Sequence, residues 1–212
     1  MVDRRRIATN CGLVAPAVAV GAIVLATVVA PPETFTWRGR ALSDMGRPGT
    51  TTFALFNGGL IAAGALGGPF VWRVWIETRN GLQRAGAVAL GASLVGMIGV
   101  GVFFLEHTEY YLSTSLHAPA ALLTFGAGPI AALLYGLGAL RAGENRLAAS
   151  SILSAAIPVG TWIGWVAFLR TLAAEPGVWF AVPEFVAASC LGGWVVVLAI
   201  AYRTRETVVS RP

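Results

Sequence analysis

The 212-residue chain is too apolar for a soluble domain, because 56% of its residues are hydrophobic, 12% are charged and its mean hydropathy is +0.72. Its 15 basic residues do not form a patch interleaved with aromatic residues, which argues against nucleic acid as a partner. A membrane β-barrel is excluded, since the apolar runs are long and lack the alternating polarity of barrel strands. The composition therefore predicts an integral membrane protein built of helices.

Six apolar segments are long enough to cross a hydrocarbon core of about 30 Å, which takes roughly 20 residues of helix. They cover residues 11–30, 51–72, 85–105, 116–140, 147–169 and 183–202. The first exceeds the apolar region of a signal peptide, about 7 to 15 residues, and Pro31-Pro32 ends it, so we expect an uncleaved span. We predict an all-α, polytopic fold: a single domain over residues 1–212, formed by a compact bundle of six transmembrane helices.

The arginines predict the orientation, since basic loops are retained on the cytoplasmic side of a membrane. With both termini in the cytoplasm, the inner side holds Arg4, Arg5, Arg6, Arg73, Arg79, Arg84, Arg141, Arg146, Arg203, Arg205 and Arg211, and the outer side holds Arg38, Arg40, Arg47 and Arg170. We expect a multi-pass protein of the cell (plasma) membrane, with membrane lipids as partners. The sequence leaves open whether the chain forms a homo-oligomer.

The middle of each predicted span carries no charged residue. Ion-coupled carriers and proton relays need an ionisable group at that depth, so this pattern argues against an ion-driven transporter. Small residues at four-residue intervals, such as Gly160 and Gly164, predict close packing between helices. Pro129 and Pro158 each free a carbonyl group of the preceding turn, which indicates either a packing kink or a hinge with carbonyl ligands.

Polar residues gather at the predicted outer ends and loops, where both histidines lie together with several acids: Asp44, Glu106, His107, Glu109, His117 and Glu184. Residues 38–48 are typical of a short interfacial helix that Gly46 ends in a left-handed conformation. Within it, Ser43 and Asp44 form a solvated turn paired with Arg47. Alternatively, Asp44 points inward beside Asn57, which lies roughly 9 Å below the start of its helix.

The remaining outer residues stand at the ends of predicted helices. His117 lies in a first turn, which favours a neutral imidazole that accepts a hydrogen bond or binds a metal; a satisfied interfacial histidine is the alternative. Glu184 suits the positive end of its helix dipole, as a cap or as a ligand-binding group. Glu106 and His107 end the third span, where Arg47 or Arg170 would compensate the carboxylate.

A metal site is only weakly indicated by the spacing of ten residues between His107 and His117, which brings two imidazoles to one turn. Asp44 is a third candidate ligand beside these two. Two histidines without a third ligand of defined geometry do not specify a metal. We therefore predict no cofactor and leave zinc open.

Four segments together resemble the DUF998 family, six-helix bacterial and archaeal membrane proteins of unknown function. They are residues 41–46 (ALSDMG), residues 55–60 (LFNGGL), residues 99–104 (GVGVFF) and His117. The resemblance implies that Ser43, Asp44, Asn57 and His117 characterise the family, and it implies no activity. The usual proline of Gly-x-Phe-Pro is absent at the end of the third helix. This variant and the absence of Lys are similar to haloarchaeal members.

Three functions are consistent with these residues. The first is a non-catalytic bundle that binds lipid or a partner through its polar outer face. The second is a membrane-embedded hydrolase, metal-dependent or not, acting near outer-leaflet head groups; a three-histidine metal centre would lack one histidine, since the chain has two. The third is a small-molecule transporter without ion coupling. The catalytic candidates are Asp44, His117 and Ser43; the ligand-binding candidates are Asn57, Glu106, His107, Glu184 and Arg47; and the metal candidates are His107, His117 and Asp44.

Overall fold

The computed structural model describes residues 4–172, 175 and 177–209, and within them it contains helices and connecting turns but no strand. Six long helices follow one another: α1 (Arg4–Val29), α2 (Phe53–Glu77), α3 (Gly81–Val102), α4 (His117–Arg141), α5 (Asn145–Thr171) and α6 (Ala181–Val209). Two short 3-10 helices lie in the connections before α2 and α4, namely η1 (Leu42–Gly46) and η2 (His107–Glu109). The all-α prediction is confirmed.

All six α-helices are long and apolar enough to cross a membrane, so the chain is a multi-pass membrane protein. Because consecutive helices alternate in direction, the start of α1 and the end of α6 lie at one end of the bundle, here called the inner end. The opposite end, which carries η1 and η2, is called the outer end. Which end faces the cytoplasm stays a prediction from the arginines, of which Arg211 lies outside the described residues.

The helices extend beyond the predicted spans, mainly at the inner end. Helix α1 begins at Arg4, α2 continues past Arg73 to Glu77, and α3 begins at Gly81. The predicted spans are the apolar, lipid-contacting part of each helix and their bounds stay a prediction, whereas helical hydrogen bonding continues into the polar residues beyond them. At α3 the Asn80 side chain accepts a hydrogen bond from the Gln83 backbone N–H, at 3.1 Å, and so caps the added turn.

The six helices form a ring in chain order. Each helix packs against the next one along the chain, and α6 packs against α1 and so closes the ring. Short connections favour such antiparallel neighbours. Helix α4 also contacts α6 across the ring, and α5 is the least buried of the six. The ring therefore encloses an interior. Because α4 and α6 contact each other, α5 packs on the outer side of this pair.

Glycines allow the tightest contact, between α3 and α4. A Cβ atom on Gly96 would lie 2.7 Å from the backbone nitrogen of Thr124, and one on Gly86 would lie 2.9 Å from the carbonyl oxygen of Ala131. Close backbone approach of this kind holds helices together in lipid, where no hydrophobic force acts between them. The predicted packing role of Gly160 and Gly164 is wrong, because a Cβ atom on either would have no neighbour within 4 Å.

Candidate functional site

A narrow cavity of about 90 Å³ occupies the interior of the helix ring. All six helices and η1 line it, and along α4 the lining runs from His117 to Ala132, roughly 22 Å at the helical rise of 1.5 Å per residue. Most of the wall is apolar, with Phe70, Leu90 and Trp194 at its deepest part. The site is therefore a slender apolar path along the bundle axis.

Three polar residues line the outer end of this cavity, and they are called the mouth: Ser43, His117 and Glu184. Glu184 is 6% exposed and stands in the first turn of α6. Its Oε2 accepts a hydrogen bond from the Leu42 backbone N–H at 2.7 Å. The carboxylate thus holds η1 against α6.

The imidazole of His117 is oriented by the end of α3. Its Nδ1 lies 2.7 Å from the carbonyl oxygen of Phe103, and a carbonyl oxygen only accepts, so we assign the proton of a neutral ring to Nδ1. Nε2 is then an acceptor. Neither this nitrogen nor the Ser43 hydroxyl has a hydrogen-bond partner among the residues that the structure describes. The mouth consequently offers free polar atoms to whatever enters the cavity.

Asp44 faces away from the cavity, in contrast to its neighbour Ser43. Its two carboxylate oxygens accept hydrogen bonds from the Ala41 backbone N–H at 2.8 Å and from Arg47 Nε at 2.7 Å. Arg47 also forms an ion pair with Glu106 and so compensates that carboxylate as the sequence suggested. Asp44, Arg47 and Glu106 therefore link η1 to the connection between α3 and α4.

Asn57 supports η1 from below, through the backbone. Its side-chain N–H donates to the carbonyl oxygen of Gly46 at 2.9 Å, and the Thr52 hydroxyl donates to that of Met45 at 2.7 Å. The predicted left-handed conformation of Gly46 is wrong, since the positive φ falls at Gly49, at +80°. A glycine is required at position 46 for a steric reason instead, because a Cβ atom there would lie 2.5 Å from Asn57 Oδ1.

These residues coincide with the segments that resemble a known family. A family model described as a protein of unknown function, DUF998, matches residues 13–201. The chain belongs to the DUF998 family. No curated protein and no solved structure matches it. The match carries no information on the source organism, so the haloarchaeal resemblance stays a prediction.

The second histidine of this DUF998 protein lies outside the cavity. His107 is 1% exposed, and its Nδ1 and Nε2 lie 2.9 Å and 3.2 Å from the carbonyl oxygens of Phe104 and Thr114. Glu106, just before it, has a left-handed φ of 71° that turns the chain at the end of α3. His107 thus ties the two sides of the α3–α4 connection together.

The three metal candidates lie in different surroundings. His117 lines the cavity, Asp44 binds Arg47, and both nitrogens of His107 face carbonyl oxygens. Within the described ranges, no group of three His, Cys, Asp or Glu side chains is placed to hold a metal ion. Asp44, His107 and His117 therefore do not fit a joint metal centre without rearrangement, and zinc stays an untested prediction.

Two prolines of the DUF998 chain border the cavity where α4 and α5 meet. Pro129 and Pro158 both line it, as do Phe125 and Ser154, the residues whose carbonyl groups the prolines leave without a helical partner. The Phe125 ring also makes an edge contact with Trp162 of α5, with centroids 6.3 Å apart. Both prolines therefore form part of the wall beside the least buried helix.

A second polar cluster, at the inner end, was missed from the sequence. Arg73 is 1% exposed and forms an ion pair with Glu77, and its guanidinium lies 5.3 Å from the centroid of the Tyr202 ring. Arg205 pairs with Glu144 at 2.6 Å and Glu77 at 3.7 Å. The four-residue spacing of Arg73 and Glu77 was the available signal.

The two tyrosines of the inner end complete this cluster. The hydroxyl oxygens of Tyr135 and Tyr202 lie 2.7 Å apart, and both side chains are fully buried. They stand deeper than the last cavity-lining residue of α6, Val195. The cluster therefore closes the inner end of the ring, and the titratable residues that line the cavity lie at its mouth.

Proposed function

We propose that this protein is a non-catalytic bundle that binds the apolar chain of a membrane amphiphile in its central cavity, from the outer side of the cell membrane. The observation that carries the proposal is the cavity lined by all six helices, which is mostly apolar along its length and has a carboxylate, an imidazole and a hydroxyl at its mouth. Binding sites for apolar ligands combine such walls with a few convergent polar groups. The mouth supplies those groups in Ser43, His117 and Glu184.

The elongated shape of the cavity favours one slender chain over a ring system. At about 90 Å³ along the helices, the path is smaller than the engineered cavity of about 150 Å³ that holds a benzene molecule, so an occupant enters only as the lining side chains move apart. Leu94, Met97 and Leu191 line this path, and such flexible side chains adapt their rotamers to an occupant. We therefore assign a single unbranched alkyl chain as the occupant.

The inner cluster supports binding over transport. A transporter needs a second state in which the site opens to the other side. Here Arg73, Glu77, Tyr135 and Tyr202 close the inner end by buried hydrogen bonds and an ion pair. Opening that end would separate these partners at a cost, so the cavity acts as a pocket with one entrance.

A filled cavity tests the proposal directly. Gly128 lines the cavity, and a Cβ atom there would lie 3.4 Å from Ser93 Oγ, so the backbone accepts a side chain that projects into the path. We expect Gly128→Leu to lower the affinity for a tritiated C12 amphiphile at least tenfold in nanodiscs. The matched control is Gly126→Leu on the same helix, where a Cβ atom has no neighbour within 4 Å. Equal binding by both variants would refute the proposal.

A hydrolase acting near outer-leaflet head groups is the second candidate, and one observation favours it. The Nε2 acceptor of His117 and the hydroxyl of Ser43 line the same cavity, although no hydrogen bond joins them, so the imidazole would take a proton from a water molecule there or from Ser43 once the two side chains approach. Incubation with C12 acyl esters tests this function. Turnover that His117→Ala abolishes would establish it, and no turnover above a protein-free control would exclude it for these esters.

A further inference from the structure

We propose that the mouth selects an amphiphile with a primary amine head group. This inference rests on the proposed function, because the cavity must hold the alkyl chain for the head to reach the mouth. It adds the chemistry of the head, which the apolar walls do not determine. The chemistry of the mouth is set by Glu184, His117, Ser43 and the neighbouring Arg47.

Glu184 supplies a buried carboxylate with unused acceptor capacity. One of its oxygens accepts the Leu42 N–H, and the other has no hydrogen-bond partner among the residues described. The side chain lines the cavity and is almost completely shielded from outside. An ionised carboxylate in such surroundings is costly unless it is paired with a cation. Within the described part of the chain, no Arg forms a salt bridge with it.

His117 and Ser43 extend the set of acceptors. The Nδ1 of His117 is used by Phe103, which leaves Nε2 with a lone pair toward a ligand, and Ser43 adds a hydroxyl that accepts or donates. A primary ammonium group has three N–H donors and no acceptor. It therefore matches three acceptors, two neutral and one anionic.

Anionic head groups find no matching cation at the mouth. Arg47 directly follows η1, and its guanidinium is already bound to Asp44 and Glu106. A carboxylate or phosphate head would meet Glu184 without compensation from this arginine. A hydroxyl head would donate one hydrogen bond and bring no positive charge to Glu184. The expected order of affinity is amine, then alcohol, then carboxylate.

Competition binding tests this order with chains of equal length. Full-length protein in nanodiscs is loaded with tritiated dodecylamine, and dodecylamine, dodecanol, dodecanoate and methylamine are compared as competitors. We expect dodecylamine to compete at least tenfold better than dodecanol, and the other two to compete more weakly still. Methylamine is the control for the alkyl chain, because it has the same head group but no long chain.

Variants of the mouth provide the second arm. Glu184→Gln retains an acceptor for the Leu42 N–H but removes the charge, so we expect it to weaken dodecylamine binding at least tenfold and to leave dodecanol binding unchanged. Glu33→Gln removes an exposed outer carboxylate that does not line the cavity, and should change neither affinity. If Glu184→Gln fails to fold, His117→Ala and Ser43→Ala serve instead, each expected to weaken amine binding several-fold.

The outcomes separate this inference from the proposed function. Equal competition by the amine, the alcohol and the carboxylate would overturn the amine preference. If Gly128→Leu still abolished the binding of all three, the chain-binding cavity would stand. No saturable binding of any C12 compound would overturn both. Methylamine competing as well as dodecylamine would overturn recognition of an amphiphile.

Discussion

The backbone N–H of Leu42 donates a 2.7 Å hydrogen bond to the carboxylate of Glu184, which lies 142 positions later in the chain. Both residues line the cavity, one from η1 and the other from the first turn of α6. A connection that carries little secondary structure is thereby fixed across the outer end of the ring. The site depends on this contact, because η1 also carries Ser43.

Loss of the acceptor at Glu184 should destabilise the outer end. Glu184→Leu would leave the N–H of Leu42 buried without a partner, which costs about 1–3 kcal/mol. We expect a lower thermal midpoint than for Glu184→Gln, in which the amide oxygen still accepts the hydrogen bond. Hydrogen exchange should also become faster at residues 41–47. Identical midpoints for the two variants would show that the contact does not hold η1.

Packing between α3 and α4 should be sensitive to a single methyl group. Gly96→Ala places a Cβ atom 2.7 Å from the Thr124 backbone nitrogen, so the helices must separate, at a cost of about 1–3 kcal/mol. The matched control is Gly91→Ala on the same helix, where the nearest atom, Val71 Cγ1, lies at an ordinary 3.5 Å. We expect this control to be neutral or slightly stabilising, because Ala is the better helix former. Thermal unfolding in detergent measures the stability of both variants, and equal midpoints would contradict the close contact between α3 and α4.

The buried guanidinium of Arg73 should be essential for the inner end. Arg73→Ala breaks the pair with Glu77 and removes the cation beside the Tyr202 ring, whereas Arg205 stays 3.7 Å from Glu77, so we expect a loss of about 2 kcal/mol or more. Arg84→Ala removes an exposed arginine that contacts the Trp75 ring, and should cost less than about 1 kcal/mol. The thermal unfolding midpoints of the two variants measure this difference. A midpoint for Arg73→Ala equal to that of Arg84→Ala would mean that the inner cluster contributes nothing.

Purified protein should contain less than a stoichiometric amount of zinc. Asp44 is bound to Arg47, both ring nitrogens of His107 lie against backbone groups of the α3–α4 connection, and His117 lies apart from both in the cavity wall. Elemental analysis after purification without chelators measures the metal content. One zinc per chain that His117→Ala removes would contradict this prediction and favour the metal-dependent hydrolase.

The six helices could be predicted from sequence because hydropathy reports directly on the solvent around a helix. The helix ends could not, because Arg73 and Gln83 are polar residues buried by partners that are remote in sequence, Thr9 and Glu144. The cavity could not be predicted either. None of the six helices is strongly amphipathic, so the sequence pattern does not indicate which face turns inward.

The sequence predicted that the candidate site lies at the outer end, but not which side chains face the cavity. Asp44, His107, His117 and Glu184 were equivalent in the sequence, since each is a titratable residue at the outer end. The fold separates them: His117 and Glu184 line the cavity, whereas Asp44 and His107 hold backbone groups of η1 and of the α3–α4 connection. This division depends on side-chain direction within single turns, which spacing alone does not determine.

Photolabelling tests the central claim, that an alkyl chain occupies the ring interior, most directly. Dodecylamine with a diazirine near the end of its chain is irradiated with the protein in nanodiscs, and the labelled residues are identified by mass spectrometry. We predict labelling of Met97, which lines the cavity and is 8% exposed, in the unchanged protein and in Gly126→Leu but not in Gly128→Leu. Labelling confined to outward-facing residues such as Leu122 and Val95 would contradict the account.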